Sequence, residues 1–162
     1  MSKNYTKQIE PKHFVFYNIL SFTFYELVWM YRVWDFFKEK EKSDITPALR
    51  IIFAVIFVYP LFKKIRDESK ALGWKQDFSP VGRAISWIAI NMTALLTYPF
   101  NLLIIFTFIP LITPINAMNY YYQKKEGKTI ARPWLWWQYI LVILGSLWWL
   151  LVVIGLVAEL LL

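Results

Sequence analysis

From Gln138 to Ala158 the chain runs 21 residues without a charge. As a helix rising about 1.5 Å per residue, such a run crosses a hydrocarbon core of roughly 30 Å. Phe14–Tyr25, Ile51–Tyr59 and the segments on either side of Thr97-Tyr98-Pro99-Phe100 are apolar as well. Hydrophobic residues make up 58% of the chain and charged ones 18%, more apolar material than a single soluble domain can hide. Apolar blocks longer than ten residues, with only five glycines, favour helices over a membrane barrel. The fold class expected is all-α: an integral membrane bundle of four or five hydrophobic helices in one domain, 1–162.

The punctuation places those helices. The first is expected over 14–37, leaving the membrane through Trp29, Tyr31 and Trp34 into the charged elbow Lys38–Asp44. Thr46-Pro47 and Ser79-Pro80 are cap-plus-proline pairs that start helices. A second helix over 47–72 is expected to kink at Pro60, where the ring removes a backbone donor and crowds the preceding turn. Only twelve residues between Arg50 and Lys63 lack charge, so this helix is short for a full crossing. A third runs over 80–98 and a fourth over 101–122, joined by an uncharged hairpin; a fifth covers 134–160 behind an aromatic belt at Trp134, Trp136, Trp137 and Tyr139. Phe22-Thr23-Phe24 and Phe106-Thr107-Phe108 head similar helix, aromatic and basic stretches. They read either as a duplication or as the common grammar of membrane proteins.

The net charge of +7 does not point to nucleic acid. The basic residues cluster between apolar segments, as the positive-inside bias requires. Residues 63–83 and 124–132 are therefore expected in the cytoplasm and the C-terminus outside. Two arrangements of the first half remain open. Five spans put the elbow outside and the N-terminus inside. A re-entrant second helix puts the elbow inside and the N-terminus outside; its shortness and the charge distribution favour this arrangement. With no cysteine there is no disulfide, thiol nucleophile or thiolate metal site.

Two places offer polar groups at membrane depth. Glu26 lies midway along the first apolar helix, where a carboxylate is costly unless it is paired or protonated. Arg50 and Arg83 are the bases expected to hold it. The second place is Pro110-Leu111-Ile112-Thr113-Pro114-Ile115-Asn116, where two prolines free backbone carbonyls beside Thr113 and Asn116. A broken helix of this kind lines a substrate path in some transporters and is a plain kink in other proteins. The chain shows no catalytic constellation, metal-ligand cluster or phosphate loop; catalytic, cofactor and metal residues are all expected to be absent.

The runs Trp29-Met30-Tyr31-Arg32-Val33-Trp34, Ile45-Thr46-Pro47-Ala48-Leu49-Arg50 and Tyr59-Pro60-Leu61-Phe62, with Ile109-Pro110-Leu111, Asn116 and Asn119, carry a resemblance. They resemble small uncharacterised bacterial multi-pass membrane proteins, a domain-of-unknown-function group with a Trp-x-Tyr-Arg signature after the first helix. That resemblance covers about 14–119 and implies the bacterial inner membrane, with no activity attached. The function expected is that of a structural or partner-binding membrane component, not an enzyme. The alternative is a small transporter or channel subunit using Glu26 and the Pro110/Pro114 helix. Expected partners are the lipid bilayer and other membrane proteins or a second copy of the chain; nucleic acid is not among them.

Overall fold

The computed structural model describes residues 8–127 and 136–161, all helix and turn with no strand among them. Trp134 and the basic loop residues Lys128 and Arg132 lie outside the described residues. The α-helices are α1 (Pro11–Leu20), α2 (Phe24–Glu41), α3 (Pro47–Ile52), α4 (Ala54–Ala71), α5 (Pro80–Met92), α6 (Ile112–Glu126) and α7 (Trp136–Leu161). A short 3-10 turn, Thr93–Leu95, extends α5, and a 3-10 helix, Phe100–Leu111, leads into α6.

The expected helix over 14–37 is instead two antiparallel helices. The chain reverses at Ser21, Phe22 and Thr23, the last two left-handed at φ 50° and 70°. Rings pair across the hairpin: Phe14 with Tyr25 and Trp29, and Tyr17 with Tyr25. The reversal is built from short polar side chains that compete with helical hydrogen bonds. The Thr23 N–H donates to the Asn18 carbonyl at 2.8 Å, and the Tyr25 N–H to Ser21 Oγ at 2.9 Å. The Glu26 N–H donates to Asn18 Oδ1 at 3.1 Å. The first turn of α2 therefore has partners for donors that a helix start leaves open.

A second reversal follows. α3 runs back along α2, with the Arg50 guanidinium carbon 3.9 Å from the centre of the Trp34 ring, a cation–π contact. The chain then breaks at Phe53 and α4 returns, so that Lys64 pairs with Glu41 and Lys40 with Glu68. The break expected at Pro60 falls seven residues earlier; Pro60 lies within α4. The apolar face of α4 (Val58, Leu61, Phe62, Ile65) packs in the core with Met30, Val33, Trp34 and Phe37 of α2 and Ile115, Met118 and Tyr122 of α6.

Ser79 caps α5 as its pattern predicts, its Oγ accepting from the Gly82 N–H at 3.1 Å, with Pro80 in the first helical position. The third helix ends as α-helix at Met92, short of the 98 expected. The chain then turns through Thr97–Pro99 and comes back along α5 in the 3-10 helix. No unwound segment interrupts Phe100–Glu126: at Pro110 and Leu111 the helix changes from 3-10 to α. This is the one helical run among the described residues long and apolar enough to cross a membrane, and only 33% of its apolar window is buried. α7 carries a shorter apolar stretch, Val142–Gly155.

One end of the molecule collects the charges and chain ends of the hairpins. There Asn119 grips the backbone of Ile9 through two hydrogen bonds, of 2.7 and 3.1 Å. Tyr120 donates to the Leu72 carbonyl at 3.0 Å, and Phe36 packs on Tyr121 and Tyr122. At the same end Lys70 bonds Asp77, which holds that carboxyl below the usual carboxylate range. The entrance of α1, the exit of α2 and the outer ends of α4 and α6 thus share one face. The α1–α2 reversal and the α5 hairpin point away from it.

Candidate functional site

Glu26 stands in the first turn of α2, beside the α1–α2 reversal, and is 1% exposed. Its Oε1 accepts the indole N–H of Trp87 from α5 at 3.1 Å. Trp87 is itself buried, and its carbonyl accepts from Asn91 Nδ2 at 3.0 Å. Across the site, Asn18 of α1 donates to Thr107 Oγ1 of the 3-10 helix at 3.4 Å; both side chains are fully buried. Thr107, Trp87, Asn18 and Asn91 are the polar side chains that act on the carboxyl, and none of them is charged. Glu26 Oε2 has no hydrogen-bond partner. Three elements thus close on one acid, and every donor they bring is neutral.

The arginines expected to hold Glu26 do not do so. Arg50 is taken up by Trp34, with the Phe57 ring also 5.2 Å away. Arg83 lies one turn before Trp87 on α5, half-buried, and forms no ion pair with Glu26. The indole occupies the place the sequence gives to a guanidinium. Thr113 and Asn116 are half-buried on α6, and neither is among the groups acting on Glu26. Pro110 and Pro114 are buried beside them.

The residues that complete the site were not singled out in the sequence. Asn18 and Thr107 could have been: each is a lone polar side chain inside an apolar run, the signal that marks Glu26. Thr107 stands out in the sequence only as part of its Phe-Thr-Phe repeat. The two copies differ in backbone, since Phe22-Thr23-Phe24 reverses the chain and Phe106-Thr107-Phe108 continues a 3-10 helix. Trp87 and Asn91 have no comparable signal, because an indole in an apolar helix reads as core.

α7 seals the same corner. It packs against α1, with Gly145 against the Leu20 carbonyl. A Cβ at Gly145 would overlap that oxygen, so only glycine permits the approach. Trp149 Nε1 donates to the Ile19 carbonyl at 2.8 Å, and the rings of Trp148 and Trp149 pack on Phe22. The Ile19 carbonyl, which also accepts the Phe22 N–H at 3.2 Å, thereby gains a second donor from α7. Among the described residues no group of three or more His, Cys, Asp or Glu could hold a metal ion. No family model, curated protein or solved structure matches the chain.

Proposed function

We propose that the chain is a multi-pass membrane protein inserted from one face, working as a structural or partner-binding component of the membrane. The observation that carries this reading is the division of its surface. Ile52, Phe53, Val55 and Ile56 around the α3–α4 break, Ile85 and Met92 on α5, Leu95, Leu96, Phe100, Leu103, Phe106 and Ile109 around its hairpin and much of α7 are exposed and apolar. Leu95 is 80% exposed and Ile52 71%, and so much apolar surface calls for lipid or a partner. The charged groups gather at the opposite end.

In this arrangement α5, the 3-10/α6 run and α7 cross the bilayer. The α1–α2 hairpin dips in and returns, and α3–α4 dips more shallowly. The lysines and arginines among the described residues then belong to the side from which the hairpins enter, the cytoplasmic side by the positive-inside bias. The resemblance to small bacterial inner-membrane proteins agrees with this location.

Glu26 favours a second reading, the movement of a proton or cation, because a lone acid lies deep in the bundle without a base. Two measurements separate the readings. A partner-binding component co-purifies from native membranes with a second protein in fixed ratio, and liposomes containing it show no ion flux above empty ones. Flux that disappears in Glu26→Gln, with no co-purifying protein, would replace the first reading by the second.

A further inference from the structure

We infer that Glu26 is a reversible proton-binding site, a single acid that takes up and releases one proton at the tip of the α1–α2 hairpin while the surrounding helices keep their fold. This inference rests on the packing of α1, α2, α5 and the 3-10 helix, and stands whichever partner the protein has.

Both protonation states find partners in the geometry. As a carboxylate, Glu26 accepts the Trp87 N–H at Oε1, the neutral side chains of Thr107, Asn18 and Asn91 act on it, and it stands at the start of α2, the end of a helix that carries partial positive charge. As an acid, it still accepts the Trp87 N–H at the carbonyl oxygen Oε1, and the hydroxyl and amide groups around it can each both donate and accept. The unpartnered Oε2 is the atom where the proton comes and goes.

An ion pair would lock such a group ionised, and a wholly apolar pocket would lock it protonated. Neither is present. α1 brings Asn18, α5 brings Trp87 and Asn91, the 3-10 helix brings Thr107, and none of these carries a charge. On α5, Arg83 forms no ion pair with the carboxyl. Along α2, Arg32 and Asp35 follow six and nine positions nearer the charged end, and Arg50 of α3 is on Trp34. α7 brings Gly145 and Trp149 to the same corner. The step is a single equilibrium, carboxylate plus proton to carboxylic acid, with solvent as the proton source and no redox partner.

Infrared spectra of the full chain in detergent, taken across a pH series, test this directly. The wild-type protein should gain one buried carboxylic-acid C=O band on acidification, and that band should be missing from Glu26→Gln. Trp87→Phe removes a donor that binds the carboxylate more strongly than the acid, so its band should reach half height about one pH unit higher. If Glu26→Gln fails to fold, the Trp87→Phe shift still decides. No pH-dependent acid band, or a Trp87→Phe protein that titrates as wild type does, would overturn the assignment. So would loss of the band on adding sodium chloride at fixed pH, which would make the site one for a metal cation.

Discussion

At the scale of single residues, Gly145 and Trp149 decide whether α7 belongs to the bundle. Gly145→Ala puts a methyl group into the Leu20 carbonyl, and backbone cannot rotate away as a side chain can. A cost of about 1–3 kcal/mol is expected for such overpacking, seen as a drop of several degrees in the thermal unfolding midpoint in detergent. Trp149→Phe keeps the ring against Phe22 but loses the bond to the Ile19 carbonyl, at about 0.5–1.5 kcal/mol. Because both changes act on one contact, the double variant should lose less than the sum of the two. A Gly145→Ala protein as stable as wild type would mean that α7 does not cross α1 at this point.

At the scale of elements, the sequence was legible wherever a local rule has no competitor. Ser79-Pro80 starts α5 because proline fixes its own φ and the serine reaches the next turn. The reversal at Ser21–Thr23 was hidden, since it has neither glycine nor proline and lies inside a largely apolar run without charge. Its cause is distributed: Asn18 and Ser21 supply hydrogen bonds, and Trp149 of α7 donates to the Ile19 carbonyl. The sequence could show that Glu26 was out of place, but not that an indole 61 residues away would be its partner. The reversal also makes a prediction. Thr23 is left-handed at φ 70°, a conformation that costs an ordinary residue about 1–2 kcal/mol. Thr23→Gly should raise the unfolding midpoint and Thr23→Ala should not. Equal midpoints for the two would show that the left-handed backbone is not what limits stability there.

At the scale of the whole molecule, the two topologies expected from charge and from the length of the second helix share one assumption, that residues 14–37 cross the bilayer as a single helix. The α1–α2 hairpin removes that assumption. The ion pairs Lys40–Glu68 and Lys64–Glu41, with the Asn119 grip on Ile9, tie the start of α1, the elbow and the ends of α4 and α6 to one face. Insertion from one face can be tested with single cysteines placed in this cysteine-free chain at the exposed positions Lys12, Asp44, Gln76, Thr97 and Gln123. Each is then labelled in intact cells with a reagent that does not cross membranes. The arrangement predicts that Thr97→Cys reacts from outside, while the other four react only after the membrane is opened. Reaction of Asp44→Cys from outside would restore five spans, and reaction of Lys12→Cys from outside would restore a first helix that crosses; either result would contradict entry from a single face.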